Sequence, residues 1–206
     1  MGLPASAFSR TEDRSEDDQI VVLSGLTWDD YRRILEARGD RPVPRMAFLE
    51  GDLELMSPSR HHESLKGRIG CLVEAYCFFA GIEFDTVGSW TLEDRKVARA
   101  IEPDECYIFR GEATERPHLA IEVVWTSGGL RKLDIYRKLG VREVWYWRLG
   151  RLTIHVLEGE SYVEAEQSEV LPGIDVAELS SFLDRPTASQ AVREYSRALG
   201  SRQTQS

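Results

Sequence analysis

Hydrophobic residues recur at helical spacing in one long segment, which runs from about His61 to Ala80. The apolar positions that share one face of this predicted helix are Leu65, Ile69, Leu72, Val73, Tyr76 and Ala80. Gly81 follows the last of them and is a typical C-terminal stop signal. His62 stands on the same face, so we expect its side chain to point into the protein.

Shorter apolar runs, separated by turn residues, predict strands and further helices on both sides of this segment. Thr27 is the predicted N-cap of a helix that reaches Arg38, and a hairpin is predicted from Arg45 to Met56. The predicted strands after the long helix lie near residues 82–92, 104–109, 118–125 and 141–147, with a hairpin at 152–156 and 162–165. The remaining predicted helices cover residues 130–139, 176–183 and 188–199.

This order of elements predicts an α/β fold in which a central mixed sheet carries helices on its faces, with an N-terminal hairpin and C-terminal helices added. The run Leu119–Trp125 is almost continuously apolar, as expected of an interior strand that is buried on both faces. Glu122 interrupts this run, and an acid in such a position must be compensated by charge or hydrogen bonds. Glu122 is therefore the most informative residue of the sequence.

Length and composition are typical of one domain with polar ends. The chain has 206 residues, of which 42% are hydrophobic and 30% charged. We expect a flexible arm at residues 1–19, a single domain at residues 20–199 and a polar tail at residues 200–206. No apolar run approaches the roughly 18 residues that a membrane span needs, so no membrane partner is predicted. Three cysteines without a CxxC pair, and the lack of a signal peptide, predict a cytoplasmic protein.

The net charge of −9 argues against a protein that coats nucleic acid non-specifically, because such binding relies on a basic surface. It does not exclude a nuclease, since carboxylates grouped around a metal site contribute negative charge. The sequence contains no GxGxxG, P-loop, GxSxG or HExxH motif, which removes the commonest nucleotide-binding, serine-hydrolase and zinc-protease interpretations.

Two acids and a lysine form the candidate site. Asp104 begins one predicted strand, Glu122 interrupts the next, and Lys132 lies on the helix that follows. Acids on neighbouring strands can share a divalent cation such as Mg²⁺, and a nearby ammonium can orient a water or stabilise charge on a phosphate. The alternatives are structural: an Asx-type turn for Asp104, an ion pair with Arg131 or Lys132 for Glu122, and a solvated helix face for the lysine.

Two further polar residues flank this group. His62 is open to two interpretations, a satisfied core histidine or a residue of the site. Glu54 alternates with leucines along its hairpin strand and leaves the apolar face, so solvent exposure is the simple explanation for it. Tyr136 lies four residues after Lys132, which allows both side chains to point at the end of the sheet.

Several blocks of the sequence occur in the order of one known family. These blocks are Arg45–Arg60 with His62-Glu63, Gly88-Ser89 with Thr91-Leu92, Glu102–Cys106, Ala120–Val123, and Lys132–Tyr136 followed by Gly140–Trp145. Together they resemble the Uma-two family, a bacterial group of restriction-type endonucleases in the PD-(D/E)xK superfamily. The resemblance covers roughly Thr27 to Leu183 and implies a restriction-endonuclease-like three-layer α/β/α fold.

The resemblance also implies a role for each residue of the candidate site. Asp104 matches the Asp of the superfamily motif, and Glu122 matches its (D/E). The position two beyond Glu122 is Val124, so the role of the motif's lysine passes to Lys132 on the following helix. By resemblance, Asp104, Glu122 and the carbonyl of Val123 would hold Mg²⁺ or Mn²⁺, and Lys132 would assist the attacking water.

The implied activity is hydrolysis of DNA phosphodiester bonds, with His62 and Glu54 completing the catalytic rim. Many family members carry a Glu where this chain has Ala47, so that role is absent here or passes to Glu54. Cutting both strands of DNA needs two sites, so a homodimer is predicted. Two alternatives stay open: an inactive nuclease-fold module that binds or scaffolds, and a metal-dependent hydrolase of another phosphate ester. For the nuclease, replacing Asp104 or Glu122 by alanine is expected to abolish cleavage with little loss of stability.

Overall fold

The computed structural model describes residues 17–88, 90–111, 114–124 and 129–203. In this part of the chain a six-stranded sheet is covered by helices, and a five-stranded sheet lies beside it. The predicted mixed α/β architecture is confirmed.

The described residues contain eleven strands and five helices. The strands are β1 (Gln19–Leu23), β2 (Arg45–Leu49), β3 (Asp52–Ser57), β4 (Phe84–Thr86), β5 (Leu92–Asp94), β6 (Arg99–Ile101), β7 (Glu105–Phe109), β8 (Leu119–Val124), β9 (Glu143–Arg148), β10 (Arg151–Glu158) and β11 (Ser161–Ala165). The helices are α1 (Trp28–Arg38), α2 (Arg60–Ala80), α3 (Lys132–Leu139), α4 (Val176–Ser180) and α5 (Ala188–Gln203).

The six-stranded sheet has the order β11-β10-β9-β8-β7-β4. It is mixed, because β8 pairs parallel with β9 and antiparallel with β7. Strand β8 is almost entirely buried, as its apolar sequence predicts, and Glu122 lies in the middle of it with no solvent exposure. Trp125, the last residue of the predicted strand, lies outside the described residues.

The predicted N-terminal hairpin is present as β2 and β3, but it belongs to a larger sheet with the order β1-β3-β2-β6-β5. Strand β1 pairs with β3, and β6 pairs with β2. Neither β1 nor β6 is predicted from the sequence. Strand β6 has only three residues, and β1 exposes most of its apolar side chains at the edge of the sheet, so neither shows a clear alternating pattern.

Local signals set the ends of the first two helices where the sequence predicts them. Thr27 and Asp30 form a reciprocal capping box at the start of α1. Ser59 caps the start of α2, and Gly81 ends it in the left-handed conformation that glycine adopts without strain. Helix α2 starts at Arg60, one residue before the predicted start at His61.

Packing of the helices places the candidate residues between layers. Helices α2, α4 and α5 pack on one face of the six-stranded sheet. Helix α3 packs on the other face, where its residues share a core with the five-stranded sheet. Helix α1 covers the outer face of that second sheet through Tyr31. His62 is fully buried on the inward face of α2, as its position on the helix predicts.

Regular structure extends to both ends of the part of the chain that the structure describes. Residues 1–16 lie outside the described residues, so most of the predicted arm is untested. Asp18 is buried and Gln19 begins β1, so the last residues of that segment belong to the folded domain. At the other end α5 continues to Gln203, which makes residues 200–203 of the predicted polar tail helical.

Candidate active site

Asp104 directly precedes β7, and its buried carboxylate is held by two protein donors. Its Oδ1 accepts a hydrogen bond from the Arg45 guanidinium, and its Oδ2 accepts one from the backbone N–H of Val123, at 2.7 Å. The side chain is only 1% exposed. Asp104 therefore connects strands β2 and β8, rather than forming the Asx-type turn that was its alternative interpretation.

His62 lies between two carboxylates. Its Nδ1 is 2.8 Å from Asp18 Oδ2, and its Nε2 is 3.0 Å from Asp104 Oδ1. The second contact is close but lacks hydrogen-bond geometry, which leaves Nε2 a buried nitrogen without a well-aligned partner. Burial raises the pKa of Asp18, but the hydrogen bonds from His62 and from the Ser59 N–H outweigh it and lower that pKa below its usual value.

Glu122 is paired with residues of α3. Lys132 Nζ donates to Glu122 Oε2 at 2.6 Å, and the hydroxyl of Tyr136 donates to Glu122 Oε1. Burial lowers the pKa of Lys132, but the charges of Glu122 and Glu54 outweigh it, so the pKa lies above its usual value. Burial, with the charge of Glu122, raises the pKa of Tyr136. The amine is therefore protonated and the phenol neutral at neutral pH.

Glu54 is buried, so the simple expectation of solvent exposure for it is wrong. The side chain leaves the apolar face of its hairpin, but it enters the space between the five-stranded sheet and the start of α3. There its Oε2 accepts a hydrogen bond from the backbone N–H of Leu130 at 2.7 Å. The alternation of side chains along a strand predicts which face of the sheet a side chain occupies, but it does not predict whether another element covers that face.

Gly129 is required by this position of Glu54. A Cβ on Gly129 would lie 2.5 Å from Glu54 Oε2, so Gly129→Ala is expected to displace the carboxylate and break its hydrogen bond to Leu130. The lost hydrogen bond is expected to lower the free energy of unfolding by about 1 kcal/mol. If Glu54 takes part in the reaction, the rate of DNA cleavage is also expected to fall by about tenfold.

Gly67→Ala is the matched control for this substitution, because a Cβ at Gly67 of α2 meets nothing within 4 Å. It is expected to stabilise the helix by about 0.5–1 kcal/mol and leave cleavage unchanged. Rates of DNA cleavage and chemical unfolding of the two variants provide the comparison. Full activity in a Gly129→Ala protein would remove Glu54 from the reaction.

The structure brings the predicted residues together as two neighbouring pairs. His62 meets Asp104, and Lys132 meets Glu122. Strand β8 connects the pairs, since the amide that binds Asp104 belongs to Val123, the residue after Glu122. The register of β7 and β8 pairs Glu105 with Ile121, and one further step places Asp104 opposite Glu122.

A cleft of about 920 Å³ opens beside these pairs. Residues of β1, β3, β8, α3, β9, β10 and β11 form its walls. Members of the lining that bear on the site are Asp18, Glu54, Val123, Lys132, Tyr146 and His155. Lys132 and Val123 thus connect the buried carboxylate of Glu122 to a space that is large enough for a substrate.

The two acids fit a magnesium-type cation by the chemistry of their donors. Across the described ranges, no group of three or more His, Cys, Asp or Glu side chains is arranged to hold a metal. Mg²⁺ does not need such a group, because it binds through one or two carboxylates together with water and phosphate oxygens. Asp104 and Glu122 each use two protein donors and keep further lone pairs, and the Nε2 of His62 is available nearby.

Two residues at the site were not identified from the sequence. Arg45 neutralises Asp104 and also donates to Glu63 at 2.6 Å, and Asp18 holds His62. Arg45 begins the first block of the family resemblance, and this position could have identified it as a residue of the site. Asp18 carried no signal, because it lies in a polar segment without periodicity and reaches the site only through the pairing of β1 with β3.

The mixed sheet, with helices on both faces, defines this protein as one with a restriction-endonuclease-like α/β fold. A model of the family Uma2, described as "Putative restriction endonuclease", matches residues 28–188. The chain belongs to this family, as the sequence resemblance indicated. The curated proteins include no match to the chain. No helix in the described part of the chain is long and apolar enough to cross a membrane.

Proposed function

We propose that this protein is a metal-dependent endonuclease that hydrolyses phosphodiester bonds of DNA. The family supports a nuclease, and one observation carries the finer assignment: two buried acids on neighbouring strands, with a protonated lysine between one of them and an open cleft. Buried acids are unfavourable unless they are compensated, so their position in the centre of the sheet indicates a function.

Asp104, Glu122 and the carbonyl of Val123 would hold the cation, Mg²⁺ or Mn²⁺. When bound, such an ion neutralises phosphate charge and lowers the pKa of a bound water. The remaining residues position these ligands. Arg45 fixes one oxygen of Asp104, and Tyr136 fixes one oxygen of Glu122.

Lys132 supplies a fixed positive charge at the boundary between the acids and the cleft. Its ammonium has three donors, and Glu122 accepts one of them. Among the residues that the structure describes, no second acceptor is hydrogen-bonded to it, so the other two donors would serve a phosphate oxygen or the attacking water. Because the pKa of Lys132 is raised, the amine stabilises negative charge and does not act as a base at neutral pH. His62 and Glu54 complete the rim from α2 and β3.

Asp104→Asn and Glu122→Gln test this assignment, because each removes a carboxylate charge and keeps the size of the side chain. Both variants are expected to lose at least about 100-fold in the rate of Mg²⁺-dependent cleavage of duplex DNA. Isothermal calorimetry should show weaker Mg²⁺ binding for both. Circular dichroism spectra should match the wild type.

Asp85→Asn and Glu83→Gln are the matched controls. Both residues are exposed and lie near β4, at the far edge of the sheet from the cleft. They are expected to keep full activity. Cleavage by Asp104→Asn or Glu122→Gln at the wild-type rate would contradict the assignment. Parallel assays with RNA and small phosphodiesters distinguish a DNA endonuclease from a hydrolase of another phosphate ester.

A nuclease-fold binding module is the second candidate, and one observation favours it. Both acids already have a cationic partner within the protein, Arg45 for Asp104 and Lys132 for Glu122, so the site is compensated without a metal. A binding module predicts DNA binding with neither cleavage nor heat of Mg²⁺ binding. Double-strand cleavage by a single active site per chain would further require a dimer, which sedimentation analysis measures.

A further inference from the structure

The tip of the β9–β10 hairpin combines an exposed apolar residue with two arginines at the mouth of the cleft. Arg148 and Arg151 face each other in the register, and Leu149-Gly150 forms the two-residue turn between them. Arg148, Leu149 and Arg151 line the same cleft as Lys132. Leu149 is 89% exposed, more than any other large hydrophobic residue in the described part of the chain.

The backbone conformation is a second reason why leucine is unfavourable at this turn. Leu149 has a φ of 50° and Gly150 a φ of 81°. Positive φ at both central residues is the pattern of a type I′ turn, for which Asn-Gly is the preferred sequence. A branched apolar side chain at positive φ is strained, and Asn at the same position is not. Leu149 is therefore both exposed to water and strained, which points to a role outside the free protein.

Charge around the tip identifies the partner that would suit it. Arg148 is exposed and forms no ion pair with any of the described residues. Arg151 pairs with Glu164 at 2.8 Å, but both side chains are exposed, so a polyanion can compete for the arginine. Arg148 and Arg151 therefore place two positive charges beside an apolar tip, although the whole chain has a net charge of −9. This local positive charge favours a partner that carries phosphate groups.

We propose that Leu149 is a wedge that inserts between neighbouring base pairs of a DNA duplex, while Arg148 and Arg151 contact the phosphates beside it. Apolar side chains of minor-groove binding proteins unstack and kink DNA in this way. The inference rests on the proposed function, since it takes duplex DNA as the substrate. Flexible TA steps kink at a lower energy than A-tracts do, so the wedge gives the enzyme a preference that needs no base contact.

Leu149→Asn tests the wedge, because its two expected effects have opposite signs. The assay uses a labelled duplex with 2-aminopurine beside a central TA step, in EDTA so that no cleavage occurs. The wild type is expected to bind and to raise 2-aminopurine fluorescence through unstacking. Leu149→Asn is expected to bind about tenfold more weakly, without the fluorescence rise. Its unfolding midpoint should rise by about 2 °C, because Asn-Gly suits the turn.

Glu50→Asn is the matched control. Glu50-Gly51 forms the two-residue turn between β2 and β3, with φ values of 53° and 91°. This substitution changes a turn of the same type, and it should leave DNA binding and the fluorescence rise unchanged.

Two results would overturn the inference. Wild-type affinity and unstacking by Leu149→Asn, with cleavage intact in the wild type, would reject the wedge and leave the nuclease in place. A wild type that neither binds nor cleaves duplex DNA would reject the proposed function as well.

Discussion

Arg45→Met is expected to lower the free energy of unfolding by about 3–5 kcal/mol. Asp104 is 1% exposed and the Arg45 side chain is 7% exposed, so the substitution leaves a buried carboxylate without its cation. The N–H of Val123 still donates to Asp104, but a neutral donor does not replace a guanidinium. Urea unfolding, followed by circular dichroism, measures the effect.

The double variant Arg45→Met/Asp104→Asn shows whether the loss comes from the unpaired charge. With the carboxylate gone as well, most of the lost stability should return. Arg32→Met is the exposed control, since Arg32 pairs with Glu93 at the surface and should cost less than about 1 kcal/mol. Equal stability losses in the single and double variants would contradict this account of Arg45.

Lys132→Met is expected to lose both stability and cleavage. Glu122 has no solvent exposure, so without the ammonium it keeps a buried charge and a single donor, the hydroxyl of Tyr136. The expected loss of stability is again about 3–5 kcal/mol. The double variant Lys132→Met/Glu122→Gln should recover stability but not cleavage, which separates the structural role of the pair from its proposed catalytic role.

The pH dependence of this ion pair follows from the raised pKa of Lys132. A group whose pKa is higher in the folded state contributes stability that is fully present below the unfolded value, 10.5, and is lost as the pH rises through the folded value. The double variant Lys132→Met/Glu122→Gln has no ionisable group at this pair, so the stability difference between wild type and this variant should be constant from neutral to mildly alkaline pH. Lys138→Met, on the exposed side of α3, is the control and should change stability little at any pH. A difference that disappears near neutral pH would contradict the raised pKa.

The expectation that alanine at Asp104 or Glu122 costs little stability stays a prediction, and the contacts of both acids argue against it. Each acid is held by a buried ion pair and a hydrogen bond. Removal of the carboxylate therefore leaves the positive charge of Arg45 or Lys132 without that acid as its partner. For this reason the substitutions that test the function keep the shape of the side chain. The structural alternative for Glu122, an ion pair with Lys132, is realised, and it is compatible with a catalytic role.

Elements with strong local signals were predictable. The capping box at Thr27, the glycine after α2 and the apolar run of β8 each determine structure through neighbours in sequence. Strands β1 and β6 were not predictable, because short edge or three-residue strands depend on the partner that they pair with. The larger sheet that contains the predicted hairpin was missed for the same reason.

The sequence by itself determined the α/β class, the family and the choice of Asp104, Glu122 and Lys132 as the residues of interest, because periodicity, capping and ordered motifs are properties of the chain. The tertiary structure alone decided that Arg45 pairs with Asp104 and that Glu54 is buried against Leu130. Those contacts join residues far apart in sequence, and their energies depend on burial, which exists only once the two sheets and α3 have packed together.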